Sequence, residues 1–157
     1  MKIVAISFEE ILPVWTNNLW AGRKSKIKPT NGLKFLGGFD KEIEKNSPTF
    51  FGAFDDKKLI GVNSGHVTND FEYRSRGIFV FPQYRRQGIS QELFKAIEKQ
   101  AIKEKKNTLW SMPRLSSLKA YEKFGFSVVS REFDDNVEFG PNCFVVKLLE
   151  VNDGKPD

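Results

Sequence analysis

The residues that bind metals and form disulfides are nearly missing from this sequence. Its 157 residues include a single cysteine, Cys143, and a single histidine, His66. One cysteine cannot form a disulfide within the chain, and a structural zinc site takes about four Cys or His ligands. We therefore expect no metal site, and the lack of a disulfide framework favours a cytoplasmic protein.

Long apolar runs are missing as well. The apolar opening, residues 1–7, is far shorter than the roughly 20 residues of a membrane-spanning helix and too short for a signal peptide. Hydrophobic residues make up 39% and charged residues 29% of the chain, as in soluble globular domains. A chain of this length is the size of one domain. We expect that domain to cover residues 1–150, followed by a disordered tail at 151–157.

Acidic residues are missing from one long segment. No Asp or Glu occurs from Ile11 to Phe39, and the basic residues of that segment are Arg23, Lys24, Lys26, Lys28 and Lys34. A later segment has the opposite charge and contains Glu132, Asp134, Asp135 and Glu138. Both segments fit solvated loops, and the basic one also fits a nucleic-acid-binding surface. Nucleic acid is the weaker alternative because no RRM, KH or cold-shock pattern is present.

Hydrophobic periodicity predicts short strands and helices around one sheet. Ser7 and Glu10 form a Ser-x-x-Glu capping box that opens the first helix, and apolar residues spaced near 3.6 predict a long amphipathic helix over 88–106. Other helices are predicted at 40–45 and 115–124. Strands are predicted at 2–6, 49–54, 59–68, 71–81 and 108–112, with a final pair at 128–133 and 143–149. This order predicts an α/β fold with a mixed sheet and helices on both faces.

The most informative segment is the turn that joins the predicted strand ending at Phe81 to the long helix. The first turn of a helix has about four N–H groups without intrahelical partners, and phosphate groups bind there readily. Arg85 and Arg86 oppose the helix dipole, a conflict that a polyanionic ligand would remove. Gly88 lets such a ligand approach the backbone, and Ser90 keeps the next position small. An ordinary strand-to-helix turn is the alternative.

Two motifs together resemble those of the GNAT superfamily of acyl-CoA-dependent N-acyltransferases. Arg85-x-x-Gly88-x-Ser90 is similar to the family's pyrophosphate loop, Gln/Arg-x-x-Gly-x-Gly/Ala, with serine in the last position. Tyr121-Glu-Lys-Phe-Gly125-Phe is similar to the family's Tyr-Glu-Lys-Leu-Gly-Phe, and the two motifs stand in the family's order. The resemblance implies a single-domain α/β fold with a mixed, mostly antiparallel sheet and helices on both faces.

The resemblance also implies a site for acetyl-CoA, used as a cosubstrate without a metal. The backbone N–H near Val80 is expected to stabilise the oxyanion that forms during transfer. Arg114 and Ser117 stand where the family often has Asn and Ala, and Arg114 is expected to contact a cofactor phosphate. The expected cofactor-binding residues are Val80, Arg85, Arg86, Gln87, Gly88, Ile89, Ser90, Arg114 and Ser117.

Attack of an amine on a thioester needs a proton for the departing thiolate. Tyr121 matches the family's general-acid tyrosine, and a phenol with a pKa of about 10 can donate to a thiolate with only a small uphill step. A tyrosine that is only packed on its helix, with its hydroxyl at the surface, is the alternative reading.

The general base is less well defined by the sequence. Strict alternation along the strand places one set of side chains on the same face: Glu72, Arg74, Arg76, Ile78 and Val80. Since the family often takes a glutamate base from this strand, Glu72 is the candidate, unless a bulge reverses its face or it is an ordinary exposed residue. His66 on the preceding strand is the rival base, and a structural role for it is the alternative.

The sequence therefore predicts an N-acetyltransferase that moves an acetyl group from acetyl-CoA to a primary amine of a small molecule or peptide by direct attack. A catalytically inactive acyl-CoA sensor is the main alternative. In GNAT-like folds the two charged segments, 21–38 and 132–138, border the acceptor side, which favours an amine that also carries an anionic group. We expect no membrane association, and the sequence is compatible with a homodimer.

Overall fold

The computed structural model describes residues 1–134 and 137–150. The strands are β1 (Lys2–Ile6), β2 (Thr49–Asp55), β3 (Lys58–Val67), β4 (Glu72–Val80), β5 (Thr108–Ser111), β6 (Ser127–Val128) and β7 (Val145–Leu148). The α-helices are α1 (Phe8–Val14), α2 (Ile89–Lys103) and α3 (Leu118–Phe124). The strands form one sheet in the order β1-β2-β3-β4-β5-β7-β6, antiparallel throughout except for the parallel pair β4 and β5. The predicted fold class is confirmed, and the predicted tail at 151–157 lies outside the described residues.

The first helix begins as predicted and ends in an unusual turn. The hydroxyl of Ser7 accepts the N–H of Glu10 at 3.1 Å, and the Glu10 carboxylate accepts the N–H of Ser7 at 3.1 Å. α1 continues into a π-helical turn over Trp15–Leu19, in which Trp15 is fully buried. Shorter 3-10 turns cover Lys41–Lys45, Pro82–Tyr84 and Leu115–Ser117. The predicted second helix, at 40–45, is therefore a 3-10 turn.

The final strand pair is shorter than predicted. β6 ends at Val128, whereas the sequence predicted a strand through Phe133, and β7 begins only at Val145. The hydroxyl of Ser130 accepts the N–H of Phe144 at 2.8 Å, so a side chain replaces the backbone carbonyl that a continued ladder would use. The prediction of a strand over 128–133 is therefore wrong beyond Val128.

The helices cover opposite faces of the sheet, as predicted. Phe50 of β2 packs in a cluster with Ile11 and Trp15, on the α1 side. Ala53 of the same strand packs in a cluster with Leu93 of α2. Because successive side chains of a strand point to opposite faces, these two contacts place α1 and α2 on different sides.

A β-bulge interrupts the side-chain alternation of β4. Val62 of β3 pairs with Phe79, and Ser64 pairs with Arg76. Two steps along β3 therefore correspond to three steps along β4, which is the signature of one extra residue in the longer strand. The register places this extra residue at Gly77 or beside it.

The bulge overturns the predicted face of two β4 residues. Beyond it, Ile78 and Val80 turn to the α2 face and pack in the cluster of Leu93. Arg74 and Arg76 stay on the α1 face, where they line a cleft together. The prediction that all these side chains share one face with Glu72 is wrong for Ile78 and Val80, because the extra residue reverses the alternation.

The bulge depends on a contact between Gly77 and Trp15. The indole N–H of Trp15 donates to the Gly77 carbonyl at 2.8 Å. Gly77 has a φ of +81°, and a Cβ at this position would lie 2.5 Å from a Trp15 ring atom. Both the left-handed backbone and the close approach of the ring therefore require glycine.

His66 is a fully buried polar residue in the core of the sheet. It pairs across the β3–β4 ladder with Arg74. Burial lowers the pKa of His66 to about 3, and the positive charges of Arg74 and Arg76 act in the same direction. The imidazole is therefore neutral at pH 7, with Nδ1 3.3 Å from the Val67 carbonyl oxygen.

Alanine at Gly77 should destabilise the protein much more than alanine at Gly22. Gly22 has a φ of +80°, and no atom lies within 4 Å of a Cβ built there, so Gly22→Ala tests the backbone strain alone. We expect Gly22→Ala to cost about 1–2 kcal/mol of unfolding free energy, and Gly77→Ala at least about 2 kcal/mol more through overpacking against Trp15. Equilibrium urea unfolding measures both, and equal losses would contradict the Trp15 contact.

Acid should destabilise the protein through His66. The unfolded chain takes up this proton near pH 6.5, while the folded protein resists it down to about pH 3, so stability from this group is complete above pH 6.5 and falls as the pH falls. Between pH 6 and pH 4 the wild type should lose up to about 1.4 kcal/mol per pH unit more than His66→Gln. Urea unfolding across this range is the measurement, and parallel pH profiles would show that His66 is not buried as a neutral imidazole.

Candidate active site

The edge of β4 beside β5 is open beyond the first residues of the strand. Within the described chain, the β4–β5 ladder ends at Arg74. The N–H of Phe81 donates to Ile60 on the β3 side at 3.0 Å. Backbone groups alternate in direction along a strand, so the N–H of Val80 points to the other side, where the ladder has ended. This N–H can therefore reach an acyl carbonyl placed in the opening.

A groove of about 790 Å³ lies at this open edge, between the start of α2 and α3. It is called the basic groove here because its wall includes the cationic side chains of Arg85, Arg86, Arg114, Lys119 and Lys123. The predicted cofactor residues in the wall are Val80, Arg85, Arg86, Gly88, Ile89, Ser90, Arg114 and Ser117. Gln87 alone among the predicted set is outside it. The structure thus gathers nearly all of the predicted residues into one cavity.

The turn before α2 has a backbone suited to an anion. Arg86 has a φ of +64° and Gly88 a φ of +78°, so two nearly adjacent residues are left-handed. Gly88 is the N-cap of α2, no side chain caps the helix there, and no atom lies within 4 Å of a Cβ built on it. Arg85 is anchored by a hydrogen bond from its Nε to the Val80 carbonyl at 2.9 Å. The turn before α2 therefore combines open space, helix N–H groups and the exposed guanidinium of Arg86.

A second cavity, of about 610 Å³, lies on the other side of the opening. It is called the α1-side cleft here, and its walls come from residues 19–39, β4, the end of β5 and the segment 133–144. The residues that line both cavities are Leu19, Ile78, Arg114, Ser117 and Tyr121. The two cavities therefore share a wall in which Tyr121 stands.

Tyr121 is held in a mostly aromatic environment. Its ring centroid lies 4.8 Å from that of Phe94 and 5.4 Å from that of Phe126. Burial raises the pKa of Tyr121, while the neighbouring Ser111 hydroxyl and the charge of Arg74 act in the opposite direction. The phenol therefore keeps its proton at neutral pH and can act as a hydrogen-bond donor or an acid at the shared wall.

The two predicted bases lie elsewhere. Neither Glu72 nor His66 is in the wall of either cavity. The Glu72 carboxylate accepts a hydrogen bond from the Asn69 side chain, and burial raises the pKa of Glu72. His66 is enclosed in the sheet. The structure brings Tyr121 to the cofactor residues and leaves both base candidates away from it.

Arg114 and Ser117 occupy the shared wall in different ways. The Arg114 guanidinium donates to the Leu19 carbonyl and lies 4.8 Å from the Phe139 ring centroid, so it links the segments on two sides of the cleft. Burial lowers the pKa of Arg114. Ser117 is the N-cap of α3 but makes no capping hydrogen bond with its side chain. Its hydroxyl is available to a ligand.

Sequence reasoning missed two arginines in the α1-side cleft. Arg74 is 7% exposed and Arg76 is 3% exposed. The Arg76 guanidinium lies over Trp15 and Trp20, at 5.1 and 5.0 Å from the ring centroids, and donates to the Lys28 carbonyl at 2.9 Å. The signal was present, since two charged residues interrupt an otherwise buried strand, but alternation alone did not show that they face a cavity.

The oppositely charged segments meet at this cleft, as predicted. Arg23 and Glu138 both line it. The Glu138 carboxylate accepts the N–H of Lys24 at 2.8 Å and the hydroxyl of Ser25 at 2.6 Å, so the segments are joined directly. These hydrogen bonds hold the pKa of Glu138 below its usual value. Asp135, which was also assigned to the acidic segment, lies outside the described residues.

Over 1–134 and 137–150, no cluster of three or more His, Cys, Asp or Glu side chains could hold a metal ion. No helix in the same ranges is long and apolar enough to span a membrane.

Solved structures share this fold at low sequence identity. An aminoglycoside 6'-N-acetyltransferase in complex with coenzyme A matches with a TM-score of 0.71 and 12% identity, covering 100% of both chains. An acetyltransferase from Streptococcus agalactiae matches with a TM-score of 0.64 and 17% identity, covering 94% of this chain and 98% of that one. A Salmonella typhimurium protein, solved with its cofactor acetyl-CoA, matches with a TM-score of 0.57 and 16% identity over 71% and 69% of the two chains.

The sequence itself matches a family model. No curated protein matches the sequence significantly. The model of the acetyltransferase (GNAT) domain matches residues 33–139, which include most of the lining of the basic groove and of the α1-side cleft. Because this match covers more than half of the chain, the protein belongs to the GNAT acetyltransferase family.

Proposed function

We propose that the protein is an N-acetyltransferase that transfers the acetyl group of acetyl-CoA to a primary amine. The observation that carries this proposal is the shared wall at Tyr121, where a basic groove and a second cleft meet. A two-substrate transfer needs one cavity for each substrate and a reacting centre between them. The basic groove has the charge for a polyanionic cosubstrate, and the α1-side cleft is left for the acceptor.

The groove fits the phosphates of acetyl-CoA on structural grounds. Two left-handed residues, an uncapped helix N-terminus and the exposed Arg86 surround an open space at Gly88. Such a turn binds phosphate through backbone N–H groups and the helix dipole. Acetyl-CoA supplies an activated acyl group as a thioester, and the open edge of β4 offers the N–H of Val80 to its carbonyl oxygen.

Tyr121 is proposed as the general acid. The amine nitrogen forms a bond to the acyl carbon, the carbon–sulfur bond breaks, and the thiolate needs a proton. A buried phenol with a raised pKa keeps its proton until a thiolate forms beside it. The proton that the amine loses passes to water, because neither predicted base lines the cavities.

One observation favours a second candidate function. Neither Glu72 nor His66 reaches the shared wall. A sensor that binds acyl-CoA without turnover would need no base there. The two candidates differ in thiol release. An enzyme releases coenzyme A from acetyl-CoA in the presence of a suitable amine, whereas a sensor binds acetyl-CoA and releases none with any member of a broad amine panel.

Gly88→Glu should abolish binding of acetyl-CoA. The new carboxylate would occupy the space proposed for the diphosphate, and placing like charges together costs several kcal/mol. We expect the dissociation constant, measured by calorimetry, to rise at least about 100-fold. Gly22→Glu is the matched control, since it carries the same charge and a similar φ but lies outside the groove. Equal affinity of wild type and Gly88→Glu would remove the phosphate assignment.

Tyr121→Phe should lower kcat and leave acetyl-CoA binding nearly unchanged. Loss of a positioned acid lowers kcat by about 100- to 10,000-fold. Thiol release at saturating acetyl-CoA measures it. Tyr73→Phe is the control, because its hydroxyl is also buried but contacts Thr49, at 3.5 Å, outside both cavities. Since burial raises the pKa of Tyr121, its loss of the proton should depress kcat only above about pH 10. An unchanged kcat when chemistry is rate-limiting would eliminate this role.

A further inference from the structure

Arg74 is a buried cation with unused hydrogen-bond donors. Its Nε and Nη1 atoms are buried and have no hydrogen-bond partner among the described residues. The guanidinium lies 5.0 Å from the ring centroid of Trp110 and forms part of the wall of the α1-side cleft. Burial lowers the pKa of Arg74 to about 10, so the side chain is still charged at pH 7.

No carboxylate of the described residues compensates this charge. Over residues 1–134 and 137–150, no Asp or Glu oxygen lies within 4.0 Å of the Arg74 or Arg76 guanidinium. The neighbours that influence it are the neutral His66 across the ladder, the phenol of Tyr121, and the like charges of Arg76 and Arg23. Glu138, at the same cleft, is occupied by Lys24 and Ser25.

Such an arrangement is costly for a protein that only needs to fold. A buried charge without a hydrogen-bonded partner loses its hydration, and a contact with an aromatic ring recovers only part of it. Arginine is also the side chain whose planar fork best matches a carboxylate. The unpartnered donors therefore indicate a partner that arrives with the substrate.

We propose that Arg74 binds a carboxylate of the acceptor, so that the acceptor is an amino acid or another compound with an amine and a carboxylate close together. This inference rests on the proposed function and specifies its acceptor. The amine and the carboxylate of the acceptor must be close together because Arg74 and Tyr121 line the same cleft. Tyr121 also lines the basic groove, which is proposed to hold acyl-CoA. The carboxylate stays at Arg74 while the amine nitrogen reaches the acyl carbon.

The α1-side cleft carries charges of both signs. The carboxylate of Glu138 also lines the cleft, and its hydrogen bonds to Lys24 and Ser25 keep its pKa low, so it is ionised at pH 7. The same group would attract the ammonium form of an incoming amino acid. A zwitterionic acceptor therefore complements both signs of charge in the wall.

The test compares L-amino acids with their carboxamides as acceptors, with thiol release from acetyl-CoA as the readout. Each pair has the same side chain and amine position, and because the carboxylate also raises the pKa of the neighbouring amine, kcat/KM is calculated per concentration of neutral amine. Wild type should favour the acid over the amide in kcat/KM by about 10- to 100-fold, the value of a charge-assisted hydrogen bond. Phosphoethanolamine forms the phosphate arm and should be a poorer acceptor than the preferred amino acid.

Arg74→Met is the decisive variant because it keeps much of the side-chain length and removes the charge. It should erase the preference for the acid, so that acid and amide have equal kcat/KM whatever the variant's absolute rate. Arg74→Lys should restore part of the preference, since it keeps a charge without the fork. Arg131→Met is the control, because Arg131 is exposed and outside both cavities, and it should keep the wild-type ratio.

A stability measurement separates a ligand-binding role from a structural one. Since the free protein gains little from an unpaired buried charge, Arg74→Met should unfold in urea at a midpoint no lower than that of wild type. A large loss of stability together with a retained acid-to-amide ratio would show that Arg74 serves the fold, and would overturn the inference.

The remaining outcomes are also distinct. If wild type acetylates acids and amides equally, the carboxylate site is wrong and the proposed function stands. If phosphoethanolamine is preferred, the ligand is a phosphate and the inference fails in its choice of anion. If no amine releases thiol, the proposed function fails. The carboxylate site at Arg74 is then tested on its own, by calorimetry that compares the binding of N-acetyl amino acids with the binding of their amides. Binding of the acids by wild type and not by Arg74→Met supports it, and no binding overturns it.

Discussion

The contact between Trp15 and Gly77 determines how β4 serves two cavities. The indole N–H holds the Gly77 carbonyl, and the ring fills the space that any larger side chain would need. The bulge fixed there reverses the alternation of side chains. Arg74 and Arg76, which come before it, face the α1-side cleft, whereas Val80 after it packs toward α2. A single strand thereby presents cations to one cavity and a backbone donor to the other.

Positive charge dominates both cavities and therefore favours a negatively charged group on each of the two proposed substrates. The basic groove is lined by Arg85 and Arg86 and the α1-side cleft by Arg74 and Arg76. Arg74 and Arg76 are buried and therefore screened little by salt, so the α1-side cleft favours an anion even at ionic strengths where the exposed Arg85 and Arg86 are largely screened. An acceptor with only positive groups would meet repulsion from Arg74. An acceptor with its own anion removes that repulsion and leaves its amine free to react.

Much of the fold was predictable because its signals are local. The capping box of Ser7, the period of α2 and the strand-to-helix turn at Gly88 each depend on a few neighbouring residues, and the structure has all three. The bulge at Gly77 depends on Trp15, which lies far away in the sequence, so alternation gave the wrong face for residues beyond it. The end of β6 depends on the Ser130 hydroxyl, which competes with a backbone carbonyl for one N–H. Both errors come from tertiary contacts that a local pattern does not contain.

The same distinction explains why more of the basic groove than of the α1-side cleft could be predicted from the sequence. The turn before α2 is continuous in sequence, so its residues and their resemblance to the family's loop were enough to predict this part of the groove wall. The α1-side cleft is assembled from segments around Arg23, Arg74, Ser111 and Phe144, and no two of these are neighbours in the chain. Its main chemical feature is the absence of a partner for Arg74 among the described residues, and a missing contact has no sequence pattern. The proposed choice of acceptor therefore rests on a buried group that the described part of the fold leaves unpaired.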